Sequence, residues 1–387
     1  MPRRTRSTNL SHNSKNFWWL KRVDPASQHS LDIMGSGPVR TTQSIASNAV
    51  MTPAAPAPVI SATLVVEDQA IASSEPAVVA EAHPHLRAGE TASRIADYAE
   101  LFKFRVTSLV VMTAWAGFYL ASMHSGISSI QPGLIVALVG IGLVSAGAAA
   151  LNEALERKLD AKMIRTAQRP MASGRISLPH GVLLGMAAIV AGALWLTYET
   201  NLITGTLTLI TAFSYVAVYT PLKRHTTLAT FIGAFPGAMP PLLGWTAVRG
   251  AIEWPAVALF AILFVWQFPH FMAIAWLYKE DYGRAGIRML PVVQPDGWST
   301  VLEALTYAVL MIPVSLVPVY LHIAGKIYGV TAVLLGLVYL GYTIRFARIT
   351  RARSIVESKM YARDLLKVSV IYLPVLLTVL MLNALGK

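Results

Sequence analysis

The chain has 387 residues, 55% of them hydrophobic and 13% charged, roughly half the charged share of about 25% that is usual in soluble domains. It contains no cysteine, which excludes disulfides, thiolate metal sites and thiol nucleophiles. Its net charge of +12 does not argue for nucleic acid, because the basic residues gather in alternate loops between apolar runs, the pattern of a membrane protein.

Residues 1–90 differ sharply from the rest. The start "MPRRTRSTNLSHNSKNFWWLKR" is basic and polar, and the stretch from Met51 to Glu90 is rich in Ala, Pro and Val without sustained periodicity. Such composition predicts a disordered tail ahead of a membrane domain over 91–387. The run "VISATLVV" is too short to cross a bilayer. The early arginine excess is similar to a transit peptide, so a mitochondrial inner membrane stands beside a bacterial inner membrane as the location.

From Ala92 the pattern changes. Ile95, Tyr98, Ala99 and Phe102 fall at helical spacing beside Arg94, Asp97, Glu100 and Lys103, which predicts a short interfacial helix. About nine apolar stretches follow, near 104–123, 131–151, 179–198, 202–221, 228–248, 255–276, 301–321, 328–346 and 367–385. Each is long enough to span about 30 Å of hydrocarbon as a helix. The loops after the even-numbered stretches hold most of the basic residues, among them Arg157, Lys158, Lys162, Arg165, Arg169 and Arg175 after the second. The odd loops offer only Arg249 and Lys326. Positive-inside then places the N-terminus and every even loop in the cytosol, or in the matrix of a mitochondrion.

Three polar clusters therefore share one face. The first, "NEALERKLDAKMIRTAQRP", brings Asn152, Glu156 and Asp160 at i, i+4 and i+8, so on a continuing helix they drift about 40° per step over roughly 12 Å. The second is "YTPLKRHTT", with Lys223 and Arg224. The third, from Trp266 to Pro291, ends its span at Glu280 and Asp281. Charged helix ends are ordinary, and Glu156 has basic residues within a turn. Two acidic clusters and one basic cluster on the same side favour a further reading. Hard oxygen ligands suit Mg²⁺ shared with substrate phosphates, and Lys and Arg supply the counter-charge. Such a site makes a diphosphate a good leaving group.

These residues resemble the N-x-x-x-[DE]-x-x-x-D motif of the UbiA superfamily of intramembrane prenyltransferases. The trailing "RTAQRP", with "YTPLKR", "GAMPPLLGW", "WQFPHFMAIAW" and "DYGRAGIRMLP" in that order, is similar to the branch that farnesylates protohaem IX. The likeness covers about 95–385. It implies an all-α membrane fold of nine helices around a central cavity. It also implies transfer of farnesyl from farnesyl diphosphate to a vinyl group of haem B, with water added, giving haem O for haem-copper terminal oxidases. By position, the resemblance makes Asn152, Glu156 and Asp160 the first Mg²⁺–diphosphate motif and Asp281, with Glu280, its second. Arg165, Arg169, Lys223 and Arg224 would hold phosphate oxygens. Where the superfamily repeats aspartates four apart, this chain has Leu277 before Asp281, and "KFR" at Lys103 to Arg105 replaces Lys-Pro-Arg. Haem A synthase and oxidase subunits would be its neighbours in the bilayer, and no nucleic acid is implied.

His270, the histidine set deepest in a span, is expected to ligate or orient the haem, against the alternative of a bond to a neighbouring helix. Lys103 and Arg105 read as a snorkelling pair in preference to propionate partners. His225 reads as a solvated loop residue, and Trp245, Trp266 and Trp276 as packing or interfacial residues. Three other functions stay open: a UbiA-type enzyme prenylating a hydroxybenzoate or naphthoate, a secondary transporter, and a non-catalytic haem-handling assembly factor. A transporter would be expected to carry inverted repeats. An assembly factor would not need the acidic motif.

Overall fold

In hydrocarbon every backbone N–H and C=O needs an internal partner, so apolar runs of this length fold as helices. The computed structural model describes residues 94–385, and among these nine helical segments are long and apolar enough to cross a bilayer, matching the expected nine. The tail expected over residues 1–90 lies outside the described residues. The interfacial helix α1 (Arg94–Leu101) precedes α2 (Phe104–His124), α3 (Pro132–Asp160) and α4 (Leu178–Glu199). The fourth span is α5 (Leu202–Phe213), a π-helical segment (Ser214–Tyr219) and the single turn α6 (Thr220–Leu222). Then come α7 (Ala229–Arg249), α8 (Trp254–Leu277), the short α9 (Lys279–Ala285) and α10 (Leu290–Val293), α11 (Trp298–Tyr320), α12 (Lys326–Phe346) and α13 (Ile355–Leu382).

Two helices run well past their apolar stretches. The second continues from the expected end near 151 to Asp160 and carries the acidic ladder with it. The last begins at Ile355, twelve residues before the apolar run at 367. Ser354 caps it by accepting the Glu357 N–H at 3.1 Å, and the Glu357 carboxylate accepts the Arg353 N–H at 2.9 Å. Arg345 of α12 pairs with Asp364 of α13 at 3.0 Å, so the charged extension has a partner helix.

Helix α3 packs on α4 and α2 on α7, while α8 lies against α7, α11 and α13. The main core holds large buried rings: Trp245, Tyr328, Tyr339, Phe346 and Tyr372. The polar ends of Trp245, Tyr328 and Tyr339 are bonded within the bundle. The Tyr328 hydroxyl donates to the Ser315 carbonyl at 2.7 Å and Tyr339 to the Trp266 carbonyl at 3.0 Å, as a membrane interior demands. Trp266 in turn donates to the Ser369 carbonyl at 2.9 Å, and Trp245 to Glu253 at 2.9 Å, so both are packing residues.

The α2–α7 contact depends on missing side chains. A Cβ at Gly117 would overlap the Pro241 carbonyl, and one at Gly244 the Ala114 carbonyl, backbone atoms that cannot swing aside. Gly244→Ala is therefore expected to destabilise the bundle by about 1–3 kcal/mol. Thermal unfolding in detergent reads this directly, and an unchanged midpoint would show that α2 and α7 separate without cost.

Successive spans reverse direction, so the loops after the second, fourth and sixth meet at one end of the bundle. This is where the polar clusters lie.

Candidate active site

The helical period places Asn152, Glu156 and Asp160 on one face of α3. They are 2%, 4% and 0% exposed, which excludes a solvated helix end. Each meets a basic residue from a different segment. The Lys103 ammonium, at the α1–α2 junction, donates to Asn152 Oδ1 at 2.6 Å. The Asn152 amide donates onward to Thr220 Oγ1 at 3.0 Å. Lys223, at the end of the fourth span, forms an ion pair with Glu156. Arg169 Nη1, in the loop after α3, donates to both oxygens of Asp160 at 2.9 Å.

These side chains border a cavity of about 130 Å³, whose walls also include Arg165, Tyr215, Tyr219 and Tyr282. Four basic residues (Lys103, Arg165, Arg169 and Lys223) face two carboxylates (Glu156 and Asp160) there, a surplus of positive charge. A buried site of that kind attracts a multiply charged anion. Burial holds the Lys103 ammonium down to about 7, and Arg169 nearby works in the same direction. For Arg169 burial also disfavours the charge, but Asp160 outweighs it and keeps the guanidinium above its ordinary pKa. Burial pushes the Tyr282 hydroxyl up, so it stays a neutral donor.

Local backbone features aim these groups. Lys103 adopts a left-handed conformation (φ 45°, ψ 49°), uncommon for a residue with a Cβ, and breaks the helix between α1 and α2. The π-helical segment lies next to Pro221, which has no N–H to continue an α-helical ladder. Within it Tyr215 and Tyr219 stack with ring centroids 5.6 Å apart, both on the cavity wall.

The third cluster joins through α9. Asp281 accepts the Ile164 N–H at 3.4 Å and forms an ion pair with Arg284, beside the cavity but outside its lining. Arg165 sits 4.7 Å from the Tyr278 ring centroid and donates to the Tyr282 hydroxyl at 3.4 Å. Leu159, Met163, Tyr282, Ala285 and Ile287 close an apolar seam beneath. The Arg288 N–H donates to the Lys223 carbonyl at 3.0 Å, so the loops after spans two, four and six are bonded together.

The other expected site residues lie apart. Glu280 is exposed and pairs with Lys359 of α13 at 3.1 Å. Arg224 and His225 are exposed and outside the cavity lining. His270, on α8, contacts Ser369 Oγ through Nδ1 at 2.8 Å and stacks on Trp266 at 4.8 Å, also outside the lining. Lys103 departs from its expected snorkelling role and lines the cavity, because Asn152 of α3 takes its ammonium at the break between α1 and α2.

Among the described residues no three carboxylates or histidines converge to hold a metal by themselves. A cation here would be shared between a few protein oxygens and those of its ligand. The hard oxygens of Asn152, Glu156 and Asp160 beside a cationic wall fit Mg²⁺ used in that way.

The description "UbiA prenyltransferase family" matches residues 110–365. A protoheme IX farnesyltransferase of Koribacter versatilis is 51% identical over 76% of this chain and 94% of its own length. The enzyme of the same name from Solibacter usitatus is 43% identical, over 75% of this chain and 99% of its own. Among solved structures, a digeranylgeranylglyceryl phosphate synthase superposes with a TM-score of 0.60 at 19% identity, over 75% of this chain and 98% of its own. A UbiA homolog from Archaeoglobus fulgidus bound to GPP and Mg²⁺ superposes with a TM-score of 0.52 at 15% identity, over 73% and 99%. At those identities the structures bear on the fold alone.

Proposed function

The chain belongs to the UbiA prenyltransferase family, and from that membership we propose that it transfers the farnesyl group of farnesyl diphosphate to a vinyl group of protohaem IX, with addition of water, giving haem O. The observation that carries the reading is the buried cavity where an oxygen-bearing ladder faces a surplus of cations. Arg169 and Lys223 bind diphosphate oxygens, Arg169 in the bidentate fashion open to a guanidinium, with Arg165 and Lys103 completing the cationic wall. Asn152, Glu156 and Asp160, supported by Asp281 on α9, would hold Mg²⁺, which when bound neutralises charge developing on the leaving group. Tyr215, Tyr219 and Tyr282 close the walls of the site and limit the entry of water.

The reaction needs no protein nucleophile. The allylic C–O bond breaks with its electron pair leaving on diphosphate. The vinyl π electrons form the new C–C bond. Water then closes on the cationic carbon beside the porphyrin and releases a proton. The diphosphate end stays with the cationic residues while the farnesyl chain and the porphyrin occupy apolar surroundings. By the positive-inside pattern we place the cavity, with the N-terminus, at the cytosolic face of a bacterial inner membrane or the matrix face of a mitochondrial one.

Incubating membranes with haem B, farnesyl diphosphate and Mg²⁺, followed by mass analysis of extracted haem, tests the reaction. The expected product has gained farnesyl and a hydroxyl across one vinyl group. Unchanged haem alongside prenylated hydroxybenzoate or naphthoate would move the chain to another branch of the family.

We assign His270 to the porphyrin. With Nδ1 engaged by Ser369, Nε2 is the ring nitrogen left for iron. His270→Ala is expected to shift the Soret band of the haem-loaded protein while leaving farnesyl diphosphate affinity within about twofold, since the ring lies outside the lining of the cationic cavity. An unchanged spectrum and yield would make the histidine a packing residue.

A further inference from the structure

Glu153 follows Asn152 on α3, is 0% exposed and does not line the cavity. Its Oε1 accepts the Met171 N–H at 3.0 Å, while Oε2 has no hydrogen-bond partner. A buried carboxylate left with one bond is under-used, since its two oxygens offer about four acceptor sites. Met171 lies two residues beyond Arg169, and Pro170 between them has no N–H to offer. The Met171 side chain is held as well, within the cluster of Leu101, Ala150, Ala154 and Ile176 and against Gly181, where any Cβ would collide with it. The backbone that delivers Arg169 to the cavity is therefore fastened to α3 at Glu153. Arg169 itself feels the charge of Glu153 in addition to that of Asp160.

Without a ligand, a single nitrogen of Arg169 bridges both Asp160 oxygens. Once Asp160 turns to a cation held with bound diphosphate, the guanidinium gives one edge to the phosphate oxygens and needs another carboxylate for the rest of its fork. We infer that Glu153 is the positioning residue for Arg169: one oxygen anchors the loop, and the open oxygen receives the guanidinium when ligand engages Asp160. This inference rests on the diphosphate reading of the cavity.

Thermal unfolding of the purified full-length protein in detergent, with Mg²⁺ and inorganic pyrophosphate titrated in, tests it without relying on turnover. Glu153→Gln keeps the acceptor for Met171 and the volume but loses the charge, so its midpoint without ligand is expected to equal that of the native protein. Its pyrophosphate affinity should fall about tenfold, and KM for farnesyl diphosphate should rise by a similar factor with kcat within about twofold. In an Arg169→Ala background the same change should have no further effect. Glu153→Asp, with charge retained and reach shortened, is expected to show the same loss and serves if the glutamine variant does not fold. Native pyrophosphate affinity in both variants, or effects that add to those of Arg169→Ala, would overturn the inference and leave the diphosphate reading intact. A native protein that pyrophosphate does not stabilise would overturn that reading and this inference with it.

Discussion

Replacing Asp160 by asparagine is expected to lower haem O formation by about two to three orders of magnitude, with the protein still inserted and folded. Asparagine matches the aspartate in shape and keeps an acceptor for Arg169, so the buried guanidinium is not left wholly without a partner. The carboxylate charge is what disappears. That charge is completely buried at the end of the α3 ladder, where water cannot substitute for it. Asp160→Ala is the poorer probe, because stripping one partner from a buried pair costs about 3–5 kcal/mol and confounds folding with chemistry. Glu156→Gln should behave like Asp160→Asn, its partner being Lys223. The check is product yield by mass analysis beside a melting curve of the same preparation. Near-native turnover in a well-folded Asp160→Asn protein would remove the ladder from the reaction.

Arg169→Ala and Lys223→Ala are each expected to weaken farnesyl diphosphate use by roughly ten- to hundredfold, with haem affinity largely spared. Each removes a charge-assisted contact to phosphate, worth about 1.5–3 kcal/mol. The native Arg169 and Lys223 side chains are held by carboxylates, so ligand must exchange with those pairs, and the net loss falls at the lower end of the range for whichever pair costs more to open. Arg169→Lys retains charge without the planar fork and should recover only part of the loss. Steady-state KM for farnesyl diphosphate, measured with haem titrations in the same detergent, separates the two substrates. Equal weakening for both would mean that these residues support the fold and do not select the diphosphate.

Much of this architecture follows from properties local to the chain. Apolar length alone yields nine spans, because hydrocarbon admits only helices that satisfy their own backbone. That the three polar clusters share one end of the bundle follows from the parity of the spans. The ladder follows from the helical period, since residues four apart share a face however the rest of the protein folds. Two helix ends were less legible. The extension of α13 depends on the Ser354 cap and on Asp364 finding Arg345 across the bundle. The course of the fourth span depends on a π-helical segment beside Pro221.

Which cation serves which oxygen was decided only by tertiary structure. Lys103, Arg169 and Lys223 come from three segments, and nothing in their spacing says that they meet Asn152, Asp160 and Glu156 respectively. Lys103 sits in a left-handed conformation where α1 gives way to α2, and its position at a helix end does not reveal that Asn152 takes its ammonium. Glu280 and Asp281 make the same point from adjacent positions. Neighbouring residues on a helix point about 100° apart, so α9 can offer only one of them to the loop that follows α3. Asp281 takes the Ile164 N–H and Glu280 turns to Lys359, a choice set by where α13 lies and invisible in the order of the two acids.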